Sequence, residues 1–437
     1  MRRVGNPLAW VLMLLLGAAV RGADGPPRVV AAWAAGPLEA RVALDRAADP
    51  AMAAGLVGSR IVFGDGVKAG DRFVERKAGD PPPDGPGSEA RGALRVAAAR
   101  LVDGGRTIVL ATDPHSRDAS YAMTLAGNGL AYNLRGVEAA WDSGKDDARP
   151  EWAGWWPSLD SAEVAARLGG WPGFEAARSR LATPGRLVLK TLAAMPKGKV
   201  AVKVRASAPF EVGLGNESAR SSPDGGGHVA AASAEVEGDG IDLTLTVALD
   251  GKAPFALSAT YRGPTDGADR PIAASQCTLP WAPPTPPGLS PSPVPPAMLT
   301  GGDPARGAAV FKGDQAKCAT CHKVRGEGGE VGPDLTDLVH RDRAWAYRNI
   351  NEPSASIQPD YVPYTVLLKD GRVLAGIVRA EGADAIRVVD TAAKATVIPK
   401  ADVEELKPSA TSIMPVGLLG PVGEEGTRDL LAYLAGK

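Results

Sequence analysis

Short runs of alternating hydrophobic and polar residues recur between Leu38 and Tyr261. Alternation with a period of two, interrupted by frequent turn residues, predicts antiparallel β-sandwiches rather than helices. We expect one sandwich over residues 24–135 and a second over residues 136–279. Asp49 and Pro50 predict the N-cap and first turn of a short helix within the first. The alternating runs are Leu38–Leu44, Leu94–Leu101, Thr107–Ala111, Tyr121–Leu125, Arg186–Leu192, Lys199–Ala206, Phe210–Leu214, Ile241–Leu249 and Phe255–Tyr261.

The pattern changes after residue 300, where apolar residues recur at helical spacing. Two segments, Asp303–Lys317 and Glu424–Leu434, predict amphipathic helices. Gly307 on the first helix lets the second helix cross closely, with Phe311 and Tyr433 available to pack at the contact.

Between these helices, residues 361–406 alternate as short strands and predict a small inserted β-barrel. The predicted fold is therefore multidomain. Two N-terminal antiparallel β-sandwich modules precede an all-α domain over residues 301–437, which carries the inserted barrel.

Two segments are expected to lie outside these domains. The stretch from Pro280 to Pro296 holds nine prolines in seventeen residues, which predicts an extended linker over residues 280–300. Arg2 and Arg3 precede an apolar run, Leu8–Val20, and small residues follow it. This order is typical of a cleaved signal peptide, here residues 1–23, and predicts a periplasmic or otherwise exported protein. The apolar run is short of the ~20 residues that span a bilayer, and an uncleaved anchor is the alternative interpretation.

The charge and the cysteine content of the chain exclude two classes of protein. With 49 Lys and Arg against 50 Asp and Glu, the net charge of −1 lacks the basic excess of a nucleic-acid-binding protein. Three cysteines, Cys277, Cys318 and Cys321, are too few for a disulfide scaffold. Any special role therefore depends on their spacing.

Cys318-Ala-Thr-Cys321-His322 has the spacing of a c-type haem attachment motif. Two thiols three residues apart on a helical turn can each add to one vinyl group of a porphyrin, and His322 then reaches the iron from the same side. We expect one covalently attached haem c. A redox dithiol lacks its usual βαβ context here, and a zinc site would need His340 or Cys277 at unusual spacing.

Met414 is the candidate for the second axial iron ligand. It is the only one of seven methionines that follows the attachment motif, and a thioether suits ferrous iron. His340 is the rival ligand, although it precedes a helical run, Arg341–Asn351, that is better suited to lining the haem pocket. An ordinary core methionine is the third interpretation of Met414.

The order CATCH, GPDLT, NINEPSASIQPDY, LKDGRVLAGIV, SIMP and RDLLAYL closely resembles the haem-binding domain of Planctomycetes/Verrucomicrobia c-type cytochromes. The two-helix arrangement resembles class I cytochromes c, in which a Gly-Pro-x-Leu turn places the proline carbonyl on the free nitrogen of the haem histidine. The resemblance thus gives this role to Pro333 and implies a periplasmic monohaem electron-transfer domain. The ordered segments VALDRAADPAMAAG, LVDGGRTIVLATDP and YAMTLAG, which together span about 90 residues, resemble, less specifically, bacterial Ig-like modules of cell-surface proteins.

The remaining aromatic and histidine residues suggest no catalytic cluster. A tryptophan-rich connector is expected to lie buried at a domain junction, with stacking on sugar rings as the alternative. His115 and His228 lie in turn-rich sequence and are expected to be solvated. The connector tryptophans are Trp141, Trp152, Trp155, Trp156 and Trp171.

We therefore expect an electron-transfer protein rather than an enzyme, because both axial positions of the haem are filled by the chain. A redox partner protein is implied, no nucleic acid, and no transmembrane segment in the mature chain. Two alternatives stay open: an electron-accepting module of a periplasmic dehydrogenase complex, or a surface or polysaccharide-binding protein with an accessory haem.

Overall fold

A computed structural model describes residues 25–64, 67–72, 92–116, 118–144, 150–252, 254–282, 294–336, 338, 343–355 and 357–436. The predicted signal peptide (1–23), most of the proline-rich linker (283–293) and His340 lie outside these residues. The predicted fold class is wrong, because the described chain is mostly strand and the domain expected to be all-α combines a five-stranded sheet with its helices.

The first β region, residues 25–134, forms one continuous seven-stranded sheet in the order β1-β2-β5-β4-β3-β6-β7. The long strand β4 pairs with β5 over one part of its length and with β3 over the other, and its register shifts between Val96 and Ala98. A bulge of this kind bends a strand. The two halves of the sheet thereby enclose one core instead of forming the two separate sheets of an Ig-like sandwich. The elements are β1 (Val29–Gly36), β2 (Glu39–Leu44), α1 (Pro50–Ala54), β3 (Arg60–Gly64), β4 (Gly92–Val102), β5 (Thr107–Thr112), β6 (Ser120–Leu125) and β7 (Asn128–Tyr132).

The second β region, residues 135–282, has two facing antiparallel sheets and two helices. One sheet has the order β13-β12-β16-β10-β8-β9, with β19 beside β10, and the other has the order β14-β15-β11-β17-β18. The elements are β8 (Val137–Asp142), β9 (Trp152–Trp156), α2 (Ser161–Leu168), α3 (Pro172–Leu181), β10 (Pro184–Ala193), β11 (Gly198–Ala206), β12 (Phe210–Leu214), β13 (Glu217–Arg220), β14 (Ser222–Asp224), β15 (Gly227–Val236), β16 (Ile241–Asp250), β17 (Leu257–Arg262), β18 (Arg270–Pro271) and β19 (Cys277–Thr278).

The connector tryptophans lie at the junction of these two regions, as predicted. Trp33 of the first region stacks on Trp155 at a ring-centroid distance of 5.6 Å and meets Trp171 edge-on at 5.2 Å. Trp141, Trp156 and Trp171 are buried in the shared core. Trp152 and Trp155 are half-buried and pack against the same core.

The C-terminal domain combines helices with a five-stranded antiparallel sheet in the order β25-β24-β23-β22-β26. The sheet has its own core around Tyr364, Val366 and Val378. The prediction of an all-α domain is wrong because this sheet supplies part of the domain's main cavity rather than lying apart from the helices. The elements are α4 (Pro304–Lys312), α5 (Cys318–Cys321), β20 (Lys323–Val324), β21 (Glu327–Gly328), α6 (Arg343–Asn351), β22 (Pro363–Leu368), β23 (Val373–Glu381), β24 (Ala385–Val389), β25 (Ala395–Pro399), β26 (Val403–Pro408) and α7 (Gly423–Leu434).

Helices α4 and α7 cross at Gly307, as predicted. A Cβ atom on Gly307 would lie 2.0 Å from the Asp429 carbonyl oxygen, so only glycine permits this approach. Phe311 and Tyr433 pack beside the crossing with ring centroids 5.6 Å apart. Arg306 fixes the same contact, since its Nε donates to Asp429 Oδ2 at 2.7 Å. This hydrogen bond also lowers the pKa of Asp429.

The first β region is joined to the C-terminal domain through main-chain atoms of Ala380. The end of β23 extends beyond its partner β22, leaving one side of Ala380 without a strand neighbour. Asp113 Oδ1 accepts from the Ala380 backbone N–H at 2.9 Å, and Arg95 Nη2 donates to the Ala380 carbonyl at 2.6 Å. Side chains of one region thus satisfy the exposed edge of the other.

No helix in the described part of the chain has the length and apolar character needed to cross a bilayer.

Candidate haem site

The attachment motif begins at a sharp change of chain direction after α4. This helix ends before Gly313, five residues earlier than the sequence predicts, and Lys317 then adopts a left-handed conformation with φ of 50° and ψ of 31°. Such a conformation is uncommon for a residue with a side chain. It turns the chain into the helical turn Cys318–Cys321, whose first carbonyl accepts from the His322 N–H at 2.9 Å.

Both motif cysteines are free, half-buried and line the same cavity. Desolvation is the largest influence on each thiol: it raises the pKa of Cys318 to about 11 and also raises the pKa of Cys321. The two sulfurs therefore stay protonated at neutral pH and are not poised as free thiolate nucleophiles.

His322 is held with one ring nitrogen toward the protein. Its Nδ1 lies 2.9 Å from the Pro333 carbonyl oxygen, which is the hydrogen bond that the family resemblance implies. Because a carbonyl only accepts, Nδ1 carries the hydrogen and Nε2 keeps its lone pair. Burial lowers the pKa of His322, which favours this neutral form. Gly332 packs against the ring, and a Cβ there would lie 2.5 Å from Cε1.

A cavity of about 870 Å³ opens beside these side chains. Its volume is in the upper part of the ~300–1,000 Å³ that cofactor and small-molecule pockets occupy. Apolar side chains form its walls, and α6 contributes the face predicted for the helical run after His340. The apolar lining includes Phe311, Leu335, Trp345, Ile350, Ile377, Leu419, Leu430 and Leu434.

Met414 reaches the same cavity from a loop that precedes α7. The Met414 N–H donates to Ser412 Oγ at 3.1 Å, and the Ser412 N–H donates to Ser354 Oγ at 3.0 Å. These two bonds tie the loop to the segment that follows α6. The structure thus brings Cys318, Cys321, His322, Pro333 and Met414 to one cavity, while His340 lies outside the described residues.

Sequence reasoning missed the contribution of the sheet to this cavity. Tyr361, just before β22, and Ile377 in β23 both line it, as do Thr391 and Ala392 between β24 and β25. Nothing in their local pattern distinguishes them from other strand and turn residues. Their position follows from how the whole sheet docks on the helices.

These residues fit a covalently attached haem. The cavity offers two thiols at attachment spacing, a neutral imidazole with a free Nε2, a thioether and an apolar lining. Among the described residues no three or more His, Cys, Asp or Glu side chains are grouped to hold a metal ion, so zinc finds no ligand set there.

Among the described residues, Cys277, His115 and His228 do not line this cavity. Cys277 is fully buried in the second β region, where desolvation raises its pKa to about 11. His228 is half-buried on β15. The expectation that His115 is solvated is wrong. It is 1% exposed, with Nδ1 3.1 Å from the Pro37 carbonyl oxygen and Nε2 2.9 Å from the Tyr132 hydroxyl.

Two solved structures resemble parts of the fold only distantly. A PA14 sugar-binding domain from an RTX adhesin is 12% identical and covers 33% of this chain and 99% of its own, with a TM-score of 0.26. An anti-sigma factor domain-containing protein is 8% identical and covers 58% of this chain and 92% of its own, with a TM-score of 0.25. Likeness at this level supports no statement about fold or ligand.

Sequence comparison points to the C-terminal domain. The family model for cytochrome c matches residues 304–373, which contain α4, the attachment motif, Pro333 and α6. Cytochrome c of Theileria annulata is 33% identical over 89 residues, or 19% of this chain and 74% of that relative. Through this domain, the chain belongs to the cytochrome c family, whose members carry covalently bound haem and transfer electrons.

Proposed function

We propose that this protein is a periplasmic monohaem cytochrome c that transfers one electron at a time. In this proposal Cys318 and Cys321 attach the haem, and His322 and Met414 supply its two axial ligands. The observation that carries it is the convergence of both thiols, the His322 ring and Met414 on one largely apolar cavity. When bound, the haem supplies a reversible ferric/ferrous couple.

The chain's own residues favour electron transfer over substrate chemistry. The Pro333 carbonyl holds the His322 ring in one tautomer and orientation, and Gly332 leaves room for that ring. Apolar walls from α4, α6 and α7 exclude water and keep the site in a low-dielectric environment. Held by both His322 and Met414, the haem iron would have no coordination site free for oxygen, peroxide or an organic substrate.

The proposed cytochrome type and cellular location rest on sequence motifs of the C-terminal domain and the N-terminus. The CATCH, GPDLT, NINEPSASIQPDY and SIMP segments support a cytochrome of the Planctomycetes/Verrucomicrobia type, and the basic start with its apolar run supports export. The β regions then serve to dock the haem domain to its redox partner or to a surface. Recovery of the processed chain from the periplasmic fraction tests the export step.

Absorption spectra of the exported protein, made with haem-maturation machinery, test the ligation. We expect covalent haem and the weak far-red band of thioether-ligated ferric iron. Met414→Leu should lose that band but keep the haem, whereas Met195→Leu, a matched change in the buried core of the second β region, should keep both. A chain without covalent haem contradicts the proposed function. A high-spin ferric wild type contradicts the Met414 ligand alone.

A further inference from the structure

A second cavity, of about 220 Å³, lies where the first β region meets the C-terminal domain. One side comes from β3, β4 and the segment after β5, and the other from β22, β23 and the turn that precedes β22. Unlike the haem cavity, it is lined largely by polar and charged side chains. These are Arg60, Asp113, Ser116, Asp360, Tyr361 and Arg379.

Asp360 brings to this cavity a carboxyl group with incomplete hydrogen bonding. Its Oδ1 is shielded from solvent and has no hydrogen-bond partner. The group lies so close to β4 that a Cβ on Gly92 would be 2.8 Å from Oδ1. The Ala93 backbone N–H donates to the carboxylate, whereas Arg379 donates to the main-chain carbonyl of Asp360 instead. A carboxylate whose solvent-shielded oxygen has no hydrogen-bond partner favours protonation.

Charged groups of both signs surround Asp360 and have opposite effects on its pKa. Arg379 from β23 and Arg60 from β3 favour the carboxylate, while Asp113, which follows β5, favours the neutral acid. Desolvation is the largest influence and raises the pKa of Asp360 to about 6. Small changes in the local potential therefore change its protonation near neutral pH.

Tyr361 connects this carboxyl group to the haem cavity. It is the next residue along the chain and lines both cavities, so it forms part of the wall between them. The Arg379 guanidinium lies 5.5 Å from the centre of its ring. Tyr361 and the buried Tyr364 beside it stay neutral, because desolvation raises the pKa of each hydroxyl. Neither tyrosine hydroxyl therefore changes charge together with Asp360.

We propose that Asp360 is a redox-linked proton site, which takes up a proton when the haem is reduced and releases it when the haem is oxidised. The inference rests on the proposed function. One electron from a one-electron donor converts ferric to ferrous iron, and one proton from water converts the Asp360 carboxylate to the acid. The gained negative charge and the gained proton cancel. By linkage, oxidation favours the carboxylate as strongly as the carboxylate favours oxidation.

Electrostatic coupling of this kind is large enough to measure. At an effective dielectric constant of ~20, two unit charges must lie within ~12 Å of each other to change a proton equilibrium tenfold. For a one-electron couple, a tenfold change in proton affinity corresponds to about 59 mV. Because ferric iron carries one more positive charge, the reduction potential should fall as pH rises through the titration of Asp360.

Potentiometric titration of the holoprotein between pH 5 and 8 tests the proposal. We expect a fall in potential that corresponds to about a tenfold change in proton affinity, and its loss in Asp360→Asn. Glu404→Gln, which removes a carboxylate from the exposed face of β26, should keep the wild-type profile. A profile that survives unchanged in Asp360→Asn assigns the titration to another group and overturns the proposal.

Redox-difference infrared spectroscopy of the wild type gives an answer that does not depend on a variant folding. With ¹³C-labelled aspartate, the band of a protonated aspartic acid should appear on reduction and disappear on oxidation. Its absence in a protein that carries reducible covalent haem contradicts the redox-linked site while leaving the proposed function intact. Absence of covalent haem contradicts the proposed function itself.

Discussion

The first two β regions and the C-terminal domain use the same reactive residue types in opposite ways. In the β regions, Cys277 is fully buried and both ring nitrogens of His115 have partners. In the C-terminal domain, Cys318 and Cys321 line a large cavity, and the Pro333 carbonyl engages only Nδ1 of the haem-motif histidine. A cysteine or histidine can therefore bind a ligand where its sulfur or a ring nitrogen lone pair faces a cavity. The same residue type is structural where all of its polar atoms are buried or hydrogen-bonded.

Removing the attachment thiols gives the largest expected effect. The Cys318→Ser/Cys321→Ser variant should carry no covalent haem, because neither sulfur remains to form a thioether bond. Haem staining of the denatured protein and its intact mass measure this directly. Cys277→Ala is the matched control and should keep the full haem content. Equal haem loss in both would remove the distinction between the two regions.

Protonation of His115 should destabilise the first β region in acid. Burial lowers its pKa to about 4, below the ordinary 6.5, so the proton binds the unfolded chain more tightly. The contribution of the neutral ring to the free energy of unfolding is complete above pH 6.5. It falls by about 3 kcal/mol as the pH is lowered from 6.5 to 4. Urea unfolding at several pH values should show this loss in the wild type.

The His115→Gln variant provides the control for that titration, because glutamine offers a donor and an acceptor but does not ionise between pH 4 and 7. Its unfolding free energy should depend less steeply on pH than that of the wild type. Identical slopes would mean that His115 is not the titrating group.

Adding a methyl group where α4 and α7 cross should destabilise the haem domain by about 1–3 kcal/mol. In Gly307→Ala the new Cβ would meet the Asp429 carbonyl of α7 at 2.0 Å. Gly213→Ala on β12 is the contrasting change, since its Cβ would make only ordinary contacts with Thr244 at 3.8 Å. Thermal unfolding of both variants compares the two sites, and an equal response would contradict the close crossing.

The smallest effect is expected from Cys277→Ala. Loss of one buried sulfur leaves a small void in the second β region and should cost about 1 kcal/mol. Chemical denaturation measures it. An altered haem spectrum in this variant would link Cys277 to the haem site and break the comparison.

The sequence was sufficient to predict those features that depend on residues close together in the chain. Asp49 and Asp303 cap their helices with side-chain oxygens, each followed by proline, and the attachment motif needs only five consecutive residues. The positions of the strands could be predicted from alternation for the same reason. The pairing of the strands could not be predicted from alternation. The single curled sheet of the first region depends on β4 pairing with two partners at once.

Contacts between residues distant in sequence explain the other errors. The Pro/Ser-rich segment around His115 resembles a solvated turn, but it folds back under Tyr121 and Tyr132. The polar cavity joins Asp360 to residues more than 240 positions earlier in the chain, and no local pattern marks that meeting.

The contact at Ala380 depends on the side chains of Asp113 and Arg95 and on the peptide groups of residue 380, but not on the side chain of residue 380. Asp113 and Arg95 bind its N–H and carbonyl, which every residue except proline presents alike. Sequence drift along this part of β23 therefore leaves the join between the first β region and the haem domain intact, provided that the strand keeps its path.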